Sequence, residues 1–516
     1  MTKENNEMIE VQQHGMLRGN PPDPCVVVIF GASGDLAHKE LIPSLFALHC
    51  HKLMPEQCVV IGFSRKEYSD DKFRKEMFEA VKKDSICGED KWKEFAKNLF
   101  YVQGNFNDDA SGSYSELKKK ISNIQKEKDI PDNILFHLST APSFYSIIVK
   151  KLDESGLSES DKGWRRVIIE KPFGSDEKSA RELDKVIHKV FEENQIFRID
   201  HFLGKETVQN MVVFRFANPG FEPIWNRNYI DNIQITVAED IGIGSRAGFY
   251  EKTGVVRDMI QNHLFELLCM TAIDPPVNYD GESLRSETLK VMNSICKINV
   301  EKDVVLGQYD SGKVHGEQVK AYHEEKNVDK NSTTPTYAAI KLTLNNWRWA
   351  GVPVYLRTGK RMKDKLSEIT IKFKPTPHLM FPINTEDEKK HNLLTFRLQP
   401  NEGIIYTFTA KQPGAELKLR PVNLNFRYDR AFGIKEPPSS YQWLIRDAMQ
   451  GDQTLFPHAE WIYKSWQIVD PIIKKWESEP WIEVPNYKAG SWGPAAADKL
   501  ITRDNNEWNI QQKVSE

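Results

Sequence analysis

Nowhere in the 516 residues does an apolar run approach the ~20 residues that a membrane-spanning helix requires, the longest being strand-length. A membrane-embedded protein is therefore excluded from the expectation, and no membrane partner is expected. Cysteine is scarce as well. The six, Cys25, Cys50, Cys58, Cys87, Cys269 and Cys296, form no CxxC pair and no metal-ligand spacing, so no metal site is expected. Free thiols in a reducing cytoplasm are the simplest account of them. An excess of one charge is also missing, since 70 Lys and Arg face 73 Asp and Glu for a net charge of -3. That balance offers no electrostatic case for nucleic acid. Residues 1–24 lack the apolar stretch of a signal peptide and read as a polar, flexible lead-in. What is present is the composition of an α/β enzyme, long enough for two or three domains at ~150 residues each.

From Cys25 to about Asp200 short apolar runs alternate with helical stretches. Val26 to Phe30, Val59 to Phe63, Phe100 to Gln103, Ile134 to Leu138 and Val167 to Ile169 predict strands, with helices such as Asp71 to Lys83 and Ser115 to Lys126 between them. Such βαβ alternation winds a parallel sheet. Beyond Asp200 the runs Asn232 to Ala238, Tyr337 to Leu344, Val352 to Arg357, Ile369 to Lys374, Leu393 to Leu398 and Ile404 to Thr409 follow one another without regular helices. They predict a mostly antiparallel sheet, with helices Gly254 to Thr271 and Ser440 to Met449 packed on it. The expected domains are thus 25–200 and 201–516.

Four segments carry chemistry. Gly31-Ala32-Ser33-Gly34-Asp35-Leu36-Ala37 follows the first strand and opens a helix, where glycines admit a pyrophosphate to backbone N–H groups; a plain strand-helix turn is the alternative. The second strand ends in Ser64-Arg65, with no acid to take a ribose 2′-hydroxyl. Arg65 favours a 2′-phosphate, hence NADP, unless it merely faces solvent, and Glu67 lies close by. Glu170-Lys171-Pro172 ends a buried strand, so Lys171 would face the ligand crevice of a parallel sheet. Arg198-Ile199-Asp200-His201-Phe202-Leu203-Gly204-Lys205-Glu206 sets a carboxylate, an imidazole and an ammonium at a strand-to-helix junction, which is a phosphate-binding arrangement or else a surface charge cluster. Further on, Asp258, Asn262 and His263 share an amphipathic helix. His263 is a core histidine or, with Asp200 as its carboxylate partner, a general base.

The segments GASGDLA at 31–37, IIEKPFG at 168–174, RIDHFLGKE at 198–206, RFANPGFEPIWNR at 215–227, RDMIQNHLFELL at 257–268 and LRTGK at 356–360 together resemble the glucose-6-phosphate dehydrogenase family. They run in order over residues 25 to 495. The resemblance implies a Rossmann-like dinucleotide-binding domain followed by a larger domain with a mostly antiparallel sheet. It implies hydride transfer from C1 of glucose 6-phosphate to NADP, giving the lactone, at the entry to the oxidative pentose phosphate pathway. His263 would be the general base and Asp200 the carboxylate orienting it. His201 and Lys205 would contact the substrate phosphate, with Lys360 and Lys365 from the second domain. Glu239, Asp258 and Gln399 would take sugar hydroxyls, and Lys171 would stand between substrate and nicotinamide. Gly31 to Leu36, Arg65 and Tyr145 would line the cofactor.

Departures from the family pattern are as telling. Phe202 stands where the family often has Tyr, and Ala141-Pro142 where Pro-Pro is common. At the places where some members bind a second, structural NADP this chain has Ile405, Thr407 and Trp492, so that site is not expected. A homodimer or homotetramer through the large sheet follows by analogy. The competing readings are an oxidoreductase for an unphosphorylated sugar and a non-catalytic NADP sensor.

Overall fold

A computed structural model describes residues 20–82, 87–107, 112–381, 391–433 and 438–510. The lead-in expected over residues 1–24 lies outside these, apart from 20–24, as does Lys83. The chain forms two compact units. One comprises Met1–Lys205, Pro276–Ser286 and Glu436–Tyr463, the other Glu206–Pro275, Glu287–Lys435 and Lys464–Glu516.

In the first unit β1 (Val26–Phe30), β2 (Val59–Ser64), β3 (Leu99–Gln103), β4 (Ile134–Leu138), β5 (Arg165–Ile169) and β6 (Ile196–Arg198) build a parallel sheet in the order β3-β2-β1-β4-β5-β6. Every residue of β1, β2 and β4 is buried, as continuous apolar strands covered on both faces must be. The strand order reverses at β1, and ligands of such sheets bind beyond the carboxyl ends of the strands flanking that point, here β1 and β4. The helices start where the sequence supplies caps. The Ser69 hydroxyl accepts from the Lys72 N–H ahead of Asp70–Val81, and Asp176 and Ser179 form a capping box ahead of Glu177–Ile187.

Two expectations are corrected here. Helix Ser440–Gln450 packs against helix Ile42–Cys50 and β5 of the parallel sheet, whereas its position late in the chain suggested the antiparallel one. Its amphipathic pattern shows that one face is covered but not by what. Cys50 and Cys87, expected as free thiols, are joined by a disulfide across 37 residues. Cys50 ends one helix and Cys87 precedes another, a proximity that no short spacing motif announces, while Cys25, Cys58, Cys269 and Cys296 are not part of the disulfide.

The second unit holds an eight-stranded sheet. Its strands are β7 (Ile230–Ala238), β8 (Val304–Gly307), β12 (Tyr337–Thr343), β13 (Pro353–Gly359), β14 (Leu366–Phe373), β15 (Leu393–Gln399), β16 (Gly403–Lys411) and β17 (Leu419–Arg427), in the order β17-β16-β15-β14-β7-β13-β12-β8. β7 and β13 run parallel and the other neighbours antiparallel. Short pairs flank it: β9 (Tyr309–Asp310) with β18 (Tyr487–Lys488), and β10 (Gly312–Val314) with β11 (Glu317–Val319). Central β14 is buried throughout, whereas edge strand β17 leaves Val422 and Leu424 exposed. Tyr250, Tyr309, Tyr322, Tyr337 and Tyr487 belong to one core cluster with Ala238 at the end of β7 and Leu366 at the start of β14. Rings of that size bring the largest apolar burial per residue, and their hydroxyls need partners. Tyr309 donates to Glu325 at 3.0 Å and Tyr487 to the Lys360 carbonyl at 2.8 Å.

Candidate active site

In the first unit the turn after β1 leaves room for backbone alone. Gly31 has a φ of +84°, and a Cβ there would lie 2.1 Å from the Ser139 carbonyl oxygen at the end of β4. Only glycine fits. Its N–H donates to the Phe63 carbonyl at 2.8 Å, and the Gly34 N–H donates to the Gly31 carbonyl at 2.9 Å. The turn thus presents the start of the helical stretch that runs on through Ile42–Cys50, where N–H groups and the helix dipole favour an anion. Ala32 is buried, Leu36 half-buried, and Gly34 and Asp35 exposed. Lys39 sits 2.9 Å from Asp35 and lowers its pKa. Ser33 hydrogen-bonds Ser64 at the tip of β2 at 2.7 Å, and Ser64 in turn meets the Tyr101 hydroxyl at 3.1 Å. Arg65, next in the chain, is exposed, as is Glu67. The close approach at Gly31 is to the end of β4, and Arg65 stands beyond the second strand.

Tyr145, expected to line the cofactor, lies within electrostatic reach of Glu170. It begins helix Tyr145–Glu154 with no exposed surface, and burial raises its phenol pKa well above the ordinary value.

Lys171 follows the 7 %-exposed Glu170 directly. One oxygen of Glu170 lies 2.9 Å from His137 Nε2, and the other accepts from the Tyr441 hydroxyl at 3.2 Å. After β6 the chain turns tightly. The Phe202 N–H donates to the carboxylate of the buried Asp200 at 2.9 Å, and the Leu203 N–H donates to the Asp200 carbonyl at 3.1 Å. Arg198, 2 % exposed, anchors the strand by pairing with Asp184 and Glu193, each at 2.7 Å. His201 lies parallel to the Tyr441 ring with centroids 6.5 Å apart. Lys205 Nζ stands 5.3 Å from the centre of the Phe202 ring, a cation–π contact that uses the aromatic face. The helix of this expected strand-to-helix junction runs from Glu206 to Phe216.

The second unit gathers its candidates at one end of the sheet. Ala238, last in β7, pairs with Gly359, last in β13, and with Leu366, first in β14. Glu239, Lys360 and Lys365 lie one residue beyond that row. Register alone therefore groups three residues that the sequence spreads over more than a hundred positions. Gln399 ends β15 opposite Ser367, to whose hydroxyl its amide donates at 3.2 Å. Lys360 is 2 % exposed, yet its ammonium meets Glu239 at 2.5 Å and Asp258 at 3.7 Å and lies 5.0 Å from the centre of the Tyr250 ring. A buried ammonium is costly unless paired, and two carboxylates pair this one. Lys365 is exposed.

Asp258 and His263 stand on Val256–Leu264, a π-helix rather than the ordinary helix expected, packed on β13. The wider turn brings residues five apart to neighbouring positions, and such turns recur at functional sites. His263 is 1 % exposed, with its N–H donating to the Asn262 side chain at 2.6 Å. Three contributors were not foreseen: His137, Tyr250 and Tyr441. Each supports a foreseen residue through a contact set by tertiary packing, for which no short motif exists.

A parallel sheet with a glycine turn at its reversal point gives the first unit the fold of a dinucleotide-dependent oxidoreductase, and the clustered ammonium and carboxylates of the second suit the hydroxyl groups of a polar substrate. Residues 28–210 match the family described as glucose-6-phosphate dehydrogenase, NAD binding domain, and residues 212–509 match its C-terminal domain. The chain belongs to the glucose-6-phosphate dehydrogenase family. Glucose-6-phosphate 1-dehydrogenase of Aggregatibacter actinomycetemcomitans is 44% identical over 487 residues, 94% of this chain and 97% of its own. That of Chlamydia pneumoniae is 42% identical over 493 residues, 94% and 96% respectively. A solved structure described as glucose-6-phosphate dehydrogenase in complex with its substrate glucose-6-phosphate superposes with a TM-score of 0.87 at 32% identity, covering 96% of this chain and 100% of that one. Glucose-6-phosphate 1-dehydrogenase from Mycobacterium avium gives 0.82, also at 32%.

Proposed function

We propose that this chain oxidises D-glucose 6-phosphate to 6-phospho-D-glucono-1,5-lactone and passes the hydride to NADP, the first step of the oxidative pentose phosphate pathway. The observation that carries this reading is the family match, which spans both units. His263 takes the proton of the C1 hydroxyl, and Asp200 is the carboxylate that supports the imidazolium. His201 and Lys205 hold the phosphate, with Lys360 and Lys365 as further cations, because a dianion needs several charge-assisted contacts. Glu239, Asp258 and Gln399 take sugar hydroxyls. The Glu239–Lys360–Asp258 cluster supports this role, since it offers both acceptors and a donor in one place. Lys171 lies between substrate and nicotinamide. The cofactor supplies the hydride acceptor, and the residues from Gly31 to Leu36 bind its pyrophosphate.

NADP rather than NAD is favoured by Arg65, exposed beyond β2, and by the lack of an acid at that strand tip. A cytoplasmic location goes with a phosphorylated metabolite as substrate, and no helix among the described residues is long and apolar enough to cross a membrane. Self-association into a dimer or tetramer is proposed through the large sheet, whose edge strand leaves Val422 and Leu424 exposed. Cofactor choice is tested with Arg65→Ala. The KM for NADP should rise by roughly one to two orders of magnitude, the equivalent of the ~1.5–3 kcal/mol of a charge-assisted contact, while that for NAD changes little. Equal losses for both cofactors would remove Arg65 from the 2′-phosphate.

A further inference from the structure

Helix Ser440–Gln450 brings the first turn of a segment more than 200 residues downstream against both ligand-facing loops of the first unit. Three consecutive residues make the contacts. The Ser439 hydroxyl donates to Glu40 at 3.5 Å, just beyond the glycine turn. The Ser440 carbonyl oxygen lies 2.7 Å from where a Cβ at Gly204 would be, so the 200–205 turn rests directly on the helix. Tyr441, 8 % exposed, does two things with one side chain: its hydroxyl donates to Glu170, and its ring lies 5° from parallel with His201.

Glu170 is held from two sides, by His137 on β4 and by Tyr441. A carboxylate so fixed restrains the backbone on which Lys171 follows. The Tyr441 phenol remains a donor, because burial and the neighbouring Glu170 push its pKa far above the ordinary value. We infer that Tyr441 is a positioning residue for the dehydrogenase reaction, aligning Lys171 through Glu170 and His201 through ring contact. One side chain thereby ties the cofactor-side lysine to the phosphate-side histidine. The inference rests on the roles proposed above for Lys171 and His201. It assigns function to a residue in a segment where no motif resides.

Steady-state kinetics of the full-length enzyme separate the two arms. Tyr441→Phe keeps the ring and removes the hydroxyl, so kcat should fall ~10-fold while the KM for glucose 6-phosphate stays within about twofold. Tyr441→Leu also removes the ring and should raise that KM by at least ~5-fold. In a Lys171→Ala background, Tyr441→Phe should change kcat by less than about twofold, since its route is already gone. That coupling is what a merely structural role would not produce. Wild-type kcat in Tyr441→Phe, or the same loss in both backgrounds, overturns the inference even if Lys171→Ala is impaired. Wild-type kinetics in Lys171→Ala would instead remove the role assigned to Lys171, and the inference with it.

Discussion

His263 is the residue on which the proposed chemistry rests. Removing a general base acts on the transition state, so His263→Asn should cut kcat by at least ~10²-fold and leave the KM for glucose 6-phosphate nearly unchanged. A variant that keeps most of the wild-type kcat would remove His263 from the reaction. The residue type and its motif were legible in the sequence, because a histidine one position after Asn262 in this segment carries the family resemblance. Its seating on a π-helix was not, since the extra residue per turn depends on how the segment meets β13. Asp447 gives a test of pH dependence. Burial and Asp452 push its carboxyl up to about 7 from the ordinary 3.8. Between those values the folded state keeps a proton that the unfolded state releases, so stability falls as pH rises from about 4 to about 7. Asp447→Asn should therefore melt at least ~3 °C above wild type at pH 8, with the gain gone near pH 4. Equal gains at both pH values would mean that the carboxyl does not titrate in this window.

Among the elements, the parallel strands were readable because each is a short, fully apolar run bounded by polar segments, as Val26 to Phe30 shows. The fold class and the antiparallel sheet followed from the change in that pattern after residue 200. β6, of three residues, and β17, with Val422 and Leu424 outward, lack the signal that made the others visible. The glycine turn is the element whose conformation bears most directly on function. With a φ of +84° and the Ser139 carbonyl 2.1 Å from any Cβ, Gly31→Ala must displace the β1 turn or the end of β4. Dinucleotide affinity should fall at least ~10-fold and the melting temperature should drop. Titration of the variant with NADP by quenching of intrinsic fluorescence checks this, and an unchanged dissociation constant would show that the turn does not face the cofactor. The disulfide between Cys50 and Cys87 and the docking of helix Ser440–Gln450 were not legible, because each joins segments distant in sequence through packing alone.

For the molecule as a whole, ordered motifs along the chain carried the family, and topology explains why they are spread so widely. In the second unit β7, β13, β14 and β15 come from separate stretches, yet their register sets Glu239, Lys360, Lys365 and Gln399 at one end of one sheet. In the first, the segments 26–37, 165–174 and 196–205 approach one another as the ends of parallel strands. Function is therefore a property of the folded sheets rather than of any single motif. The central claim is oxidation of glucose 6-phosphate with NADP. Its most direct test is the initial rate of nicotinamide reduction by the purified chain with glucose 6-phosphate and with glucose, each with NADP in excess. The phosphate contacts proposed for His201, Lys205, Lys360 and Lys365 predict kcat/KM for the phosphorylated sugar at least ~10³-fold above that for glucose, as the loss of several polar contacts requires. Equal rates with the two sugars, or no reduction with either, would contradict the account.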